Sequence, residues 1–221
     1  DHCPANHDFH FSKRLEQPQV YAAKACNKDV LKESSSGGVF SVLAKYVIER
    51  EGSVFGCALD DHLNPIHEEA TTEEEVAAMR GSKYVQSDPG GSFRKAKTLL
   101  DNGRHVLYSG TPCQIAGLNS FLGKDYDHLL TIDLICHGVP SNHIFREYLK
   151  WKEKKLKGSI KKYTFRDKTR YGWGINGMIR FSRSSSERAF TKWTVWNSDY
   201  FLQLFLRGDI YRECCYHCKY A

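Results

Sequence analysis

Apolar residues recur along this chain with two different periods, and the switches between them predict its elements. Val39, Phe40, Leu43, Ala44, Val47 and Ile48 fall on one face of a 3.6-residue helix, which Gly52 closes. Ser53–Leu59 is then a near-continuous apolar run of strand length, and a turn at 60–65 leads to a second short strand at 66–70. The two make a hairpin. Thr72 stands in front of Glu73, Glu74 and Glu75 and reads as the N-cap of an acidic helix at Glu73–Met79. Residues 93–100 form a helix ended by Asn102-Gly103. A buried strand follows at 105–108, a helix at 115–122, a strand at 129–135 and a helix at 144–156 that Ser141 caps. Before these come an expected strand at 20–24 and a short helix or turn at 27–33. Beyond Gly158 the pattern changes to strands at 159–165, 177–181 and 188–192, then a helix at 196–206. Between the first two of these strands, the charged and glycine-rich residues 166–174 read as a mobile loop able to cover a site. The sum is an α/β chain of mixed α+β type. A central β-sheet is flanked by helices in β–α units, followed by a C-terminal strand-rich part and a helix.

Two of the β–α units each deliver a cysteine to the end of a strand. In Ser109-Gly110-Thr111-Pro112-Cys113-Gln114 the proline suits a first helical turn, where its missing N–H leaves nothing unpaired. Free amides and the positive end of the helix dipole favour an anion there, so Cys113 is a candidate reactive or ligating thiolate. Ile135-Cys136-His137-Gly138-Val139-Pro140 repeats the arrangement. That strand edge is where open α/β sheets bind ligands. Upstream, Ser34-Ser35-Ser36-Gly37-Gly38 opens the helix at Val39–Ile48. It reads either as a serine N-cap with flexible glycines or as a cradle for phosphate, and it matches neither a Walker nor a Rossmann fingerprint.

Composition narrows the chemistry. No apolar run approaches the roughly 20 residues of a membrane-spanning helix. The net charge of +6 owes much to seven lysines between positions 150 and 162. These read as a solvated helix end and strand start. With Trp151 alone among them and no recognition motif, they do not make a nucleic-acid surface. Eight cysteines in a large, lysine-rich chain with no visible signal peptide point to a cytoplasmic protein with metal or redox chemistry, not to a disulfide framework. Cys113, Cys136 and the C-x-x-C pair Cys215/Cys218 supply four thiolates, the number a [4Fe–4S] cluster takes and equally suited to structural zinc. Cys214 can exchange with Cys215 in that set. Cys26 and Cys57 read as small buried hydrophobes. A start at Asp1 and an end just after the cysteine cluster suggest a fragment of a longer protein. His2-Cys3-Pro4 has the ending of a bacterial ferredoxin cluster run.

Five motifs occur in order: Ser35-Ser36-Gly37-Gly38-Val39-Phe40, Gly81-Ser82-Lys83-Tyr84-Val85-Gln86-Ser87, Gly110-Thr111-Pro112-Cys113-Gln114-Ile115, Ile135 to Pro140, and Cys215-Tyr216-His217-Cys218. With them the chain resembles the coenzyme F420 hydrogenase/dehydrogenase beta-subunit family from about residue 20 to its end. The resemblance implies an oxidoreductase holding FAD beside a [4Fe–4S] cluster, with electrons passing between a two-electron small molecule and ferredoxin-type clusters. It implies cluster ligation by Cys113, Cys136, Cys215 and Cys218. Ser36, Gly37, Gly38, Lys83, Tyr84, Gln86, Thr111 and Gln114 would surround FAD. By position alone, Lys83 and His137 are the candidates for proton handling. His137 can instead act as a hydrogen-bond donor behind the ligand Cys136. Residues 1–18 would be the remnant of an upstream ferredoxin-like module and linker, 19–158 an FAD-binding part, and 159–221 the rest of the same catalytic domain. The 166–174 loop and the Cys-Pro remnant resemble the bacterial branch, which leaves deazaflavin F420 as one substrate among others. The implied partners are a ferredoxin module or protein and a small-molecule electron donor or acceptor. Two other readings stand beside this one: a zinc-stapled, non-catalytic interaction domain, and a wiring subunit that needs a partner for turnover.

Overall fold

The computed structural model describes residues 17–183 and 186–220. The Cys3-Pro4 pair lies outside them. The elements are α1 (Lys28–Glu33), α2 (Val39–Ile48), β1 (Ser53–Leu59), β2 (Pro65–Ala70), α3 (Glu73–Met79), α4 (Ser92–Asp101), β3 (Val106–Gly110), α5 (Pro112–Leu122), β4 (Leu129–Asp133), α6 (Asn142–Leu156), β5 (Ser159–Thr164), β6 (Asn176–Arg183), β7 (Ser186–Val195) and α7 (Tyr200–Arg207). The first four strands form one sheet in the order β2-β1-β3-β4, and the last three form a second, β5-β6-β7. In the first sheet β1 and β2 are an antiparallel hairpin, while β1, β3 and β4 run parallel. Parallel neighbours need a crossover, and α5 provides it between β3 and β4. The second sheet is antiparallel throughout.

β1 and β3 are buried on both faces, which is why they read as unbroken apolar runs. Val54, Ala58 and Leu107 face α2 and α3 with Ala44, Val47, Val76 and Met79. Phe55, Val106 and Tyr108 face α4 and α5 with Ala96, Leu100, Ile115 and Leu118. The helix after β4 does not return to this sheet. Phe145, Leu149 and Leu156 of α6 pack with Ile160, Tyr163, Ile179 and Phe181 of the second sheet and with Phe201 and Leu202 of α7. Each such side chain, fully buried, contributes roughly 1.5–3 kcal/mol.

Several expectations change. Residues 20–24 form no strand and join no sheet, and Val20 and Tyr21 are exposed. The segment is held where Ala25 N–H donates to the Gly37 carbonyl at 2.7 Å. The helix expected at 196–206 is split: a 3-10 turn covers Trp196–Ser198, then Asp199 turns extended and its carboxylate caps the amides of Phe201 and Leu202. Aspartate competes with helix formation from inside a helix and stabilises it at the N-cap, so the helix restarts there. β4 stops at Asp133, two residues short of the expected end, and Ile135 is left fully exposed. Lys152 departs from the solvated lysine run: it is buried and paired with Asp199 at 3.4 Å. Cys26 is exposed, because Ala25 takes the buried position in that segment.

Candidate functional site

A cavity of about 510 Å³ opens at the C-terminal edge of the parallel strands. Such volumes are ordinary for small-molecule sites. Four segments build it: the loop into α2, the strap after α3, the turn between β3 and α5, and the loop after β4. Ser36, Gly37, Gly38, Lys83, Tyr84, Gln86, Thr111, Gln114, Cys136 and His137, all expected from the sequence, line it together.

The floor under α2 decides between the two readings of the serine–glycine loop. Gly38 is the N-cap residue, left-handed at φ +77°, and no side chain caps the first turn. Two of its three serines are engaged elsewhere: Ser34 donates to the Val30 carbonyl at 2.6 Å, and Ser35 accepts from Ser82 N–H at 2.9 Å. The serine N-cap is thus corrected to a glycine-opened helix end whose first residues, Val39 to Ser41, line the cavity. A Cβ on Gly37 would sit 2.7 Å from the Ala23 carbonyl oxygen, so only glycine permits this close approach. Arg80 reaches the same wall, hydrogen-bonded to Ser41 at 3.2 Å and paired with Glu33 at 2.6 Å. Open amides, a helix dipole and a guanidinium suit a pyrophosphate.

Lys83 is already engaged. Its ammonium donates to the carbonyls of Ala78, Met79 and Arg80 at 3.1, 2.8 and 3.0 Å, closing the C-terminal end of α3. Burial pulls its pKa down to about 8, and the neighbouring Cys57 opposes this. Cys57 departs from its expected role as a buried hydrophobe, since it lines the cavity, and burial pushes its thiol pKa up while Lys83 pulls it down.

Of the four cysteines expected as ligands, Cys136 lines the cavity. Cys113 sits in the first turn of α5, its sulfur 3.2 Å from Thr111 Oγ1. Cys136 follows β4, the strand paired with β3. The C-terminal segment docks on the loop after Cys136: Arg212 N–H donates to the Val139 carbonyl at 2.9 Å, and the Cys215 thiol points to that carbonyl at 3.9 Å. Tyr211 packs over Gly138, where a Cβ would lie 2.3 Å from the ring, and its hydroxyl binds His137 Nδ1. Burial is the main cause that raises the Cys136 thiol pKa, and the adjacent Cys113 and Cys218 raise it further. Cys215 is raised by burial, then by Cys214 and Cys136. Cys136 is thus within electrostatic reach of the thiols of Cys113, Cys218 and Cys215. Among the described residues, no three Cys, His, Asp or Glu side chains gather closely enough to hold a metal ion.

The sequence reading missed His67, Ser87 and Arg80 as parts of the site. His67 and Ser87 are buried, and His67 is the odd residue in a hairpin strand whose pattern predicts only packing. The loop at 166–174 does not line this cavity; Tyr171 and Trp173 border a separate, shallower cleft.

Family models for the coenzyme F420 hydrogenase/dehydrogenase beta subunit match at residues 20–91 for the N-terminal region and 103–221 for the C terminus. The chain belongs to this family. A curated member, coenzyme F420 hydrogenase subunit beta of Methanococcus voltae, is 31% identical over 104 residues, 46% of this chain. That match spans 37% of the relative's length. The fold recurs in a structure of the F420-reducing [NiFe] hydrogenase complex from Methanosarcina barkeri, with a TM-score of 0.55 and 18% identity. The superposition covers 93% of this chain and 69% of that one. Both family segments contribute to the cavity: the loop into α2 and the strap after α3 from the first, the cysteine turns from the second. Among the described residues no helix is long and apolar enough to cross a membrane.

Proposed function

We propose that this chain is a flavin- and iron–sulfur-dependent oxidoreductase module, passing electrons between a two-electron small molecule of the deazaflavin class and ferredoxin-type carriers. The observation that carries this reading is a shared wall. The cavity that offers an uncapped helix end and Arg80 to a pyrophosphate also reaches Cys136, which stands among four thiols.

The amides at Gly37 and Gly38, the Ser36 hydroxyl and Arg80 would hold the FAD diphosphate. Tyr84, Gln86, Thr111 and Gln114 would line the space beside it, with Gln86 kept in place by Arg212 at 2.9 Å. Cys113, Cys136, Cys215 and Cys218, deprotonated, would hold a [4Fe–4S] cluster. FAD, when bound, supplies the exchange between two-electron and one-electron chemistry. Lys83 keeps a positive charge near the cavity, where it offsets negative charge on a reduced ligand. His137, tied to Tyr211, orients the loop that carries Cys136, and Lys83, whose three hydrogens are held by carbonyls, acts through its charge and not as a proton donor. The relative from Methanococcus voltae is named a hydrogenase subunit, so a partner subunit is expected to complete the electron path.

Anaerobic purification tests the reading. The expected protein is brown-yellow, releases FAD on denaturation and contains iron and sulfide. A colourless protein with stoichiometric zinc overturns it. Cys113→Ala is expected to lose iron while FAD is retained; unchanged iron removes Cys113 from the ligand set. Assays with reduced F420, NAD(P)H and ferredoxin then identify the donor, and turnover with none of them marks a wiring subunit.

A further inference from the structure

His67 is a buried titratable side chain that the flavin reading leaves without a task. It lies on β2 opposite Cys57, with its ring stacked on Tyr108 at 5.2 Å between centroids. Its Nε2 is 3.0 Å from the Ser109 carbonyl oxygen. A carbonyl only accepts, so Nε2 carries the hydrogen, and in the neutral ring Nδ1 is an acceptor. Nδ1 lies 3.0 Å from Ser87 Oγ, so the serine hydroxyl donates to it. Ser87 Oγ in turn accepts from Gln114 Nε2 at 2.9 Å. That orientation leaves Gln114 Oε1 to accept from Thr111 N–H and Thr111 Oγ1–H, both at 3.1 Å. The result is one unbroken chain, Thr111 to Gln114 to Ser87 to His67 to Ser109, with every hydrogen pointing the same way. Four of these residues line the main cavity along with His67 itself. His67 also forms part of a second cleft, about 650 Å³, beside Glu68 and Glu69.

We propose that His67 is a positioning residue that sets the hydrogen-bond direction of the cavity floor and takes up one proton when negative charge enters the cavity. A proton on Nδ1 makes that atom a donor to Ser87 Oγ. Ser87 still accepts from Gln114, so its own hydroxyl hydrogen turns outward to the cavity and meets the negative charge. One N–H bond forms on the imidazole, one O–H bond of a solvent hydronium breaks, and no electron moves on the protein. The second cleft is the route by which the proton arrives. The groups around the ring are Asp88, which favours a charged imidazole, Glu68 and Glu69 on its own strand, Cys57 opposite on β1 with Lys83 beside it, and Tyr108 on β3. This inference rests on the flavin reading for the source of the negative charge.

Two measurements test it separately from that reading. Nitrogen-15 NMR of the histidines in flavin-free protein is expected to show His67 neutral, with Nε2 protonated and Nδ1 bare; the opposite tautomer overturns the proposal whatever the cavity binds. In protein loaded with FAD, the reduction potential is expected to break in its pH dependence at a pH set by His67. His67→Gln, which keeps polar atoms but carries no extra proton, is expected to bind FAD and lose that break. Ser87→Ala, which removes the hydroxyl that would turn its hydrogen to the cavity, is expected to lose it too and serves if His67→Gln does not fold. A variant that binds FAD and keeps the native pH dependence overturns the proposal. Failure of the native chain to bind FAD sinks the flavin reading, and the tautomer alone then decides for His67.

Discussion

Lys83 shows how one side chain serves both scaffold and site. Its three carbonyl partners lie at the end of α3, where helix carbonyls lack partners of their own. Lys83→Met keeps the apolar stem and removes the donors. It is expected to lower stability by about 2 kcal/mol, read from urea unfolding, and to reduce FAD affinity because the strap at 81–87 loosens. His67 makes a pH prediction. Burial, the larger effect, lowers its native pKa below the usual imidazole range, although the Ser109 carbonyl and Asp88 oppose it. As pH falls below about 6.5 the unfolded chain binds a proton that the native chain does not. Its contribution to stability is therefore present above that range and is lost as pH falls through it. The difference in unfolding free energy between native protein and His67→Gln is expected to depend on pH only in this window; a constant difference would show that His67 is not buried neutral. Motif-borne residues such as Cys113 and Gly38 were legible because turn chemistry marks them. His67 was not, because its role depends on a carbonyl forty-two residues away in sequence.

At the scale of elements, capping rules carried much of the prediction. Thr72 is the expected N-cap of α3 and completes a capping box with Glu75, and Ser141 accepts from Ile144 N–H at the start of α6. The loop into α2 broke the pattern, since two of its serines turn away and a glycine takes the N-cap. Gly37→Ala tests what this arrangement serves. Its Cβ would press on the Ala23 carbonyl, so the strap at 20–25 must shift. The expected loss is about 1–3 kcal/mol of stability and roughly a tenfold weaker FAD affinity, measured by calorimetry. Native affinity in that variant would remove the strap from the site. The strand expected at 20–24 failed because alternation alone cannot supply a neighbour: β2 is the sheet edge on one side and β4 on the other, and the strap pairs with neither.

Across the whole molecule, α6 and α7 join the second sheet through a buried polar knot. Asp199, fully buried, accepts from Tyr148 Oη at 2.6 Å, pairs with Lys152 at 3.4 Å and caps α7 with its other oxygen. Removing one member leaves an uncompensated charge. Lys152→Met is expected to cost on the order of 3–5 kcal/mol in chemical denaturation. Adding Asp199→Asn, which keeps the cap and removes the charge, is expected to recover part of that loss, so the two changes are not additive. Additive losses would show that the pair is not coupled.

Local patterns by themselves determined most elements and the two strand-end cysteines, because periodicity, caps and turn residues act over a few positions, whereas the N-cap of α2 was decided by the fold. The five ordered motifs also indicated the family. What only the tertiary structure decided is which of these meet. The β3–β4 pairing sets the turn that carries Cys113 next to the loop that carries Cys136, the C-terminal turn closes on Val139, and the loop into α2 faces the strap after α3 across one cavity. It also decided that Lys83 is spent on carbonyls and that His67 lies under the floor. Those outcomes depend on contacts between residues far apart in the chain, which no local period encodes.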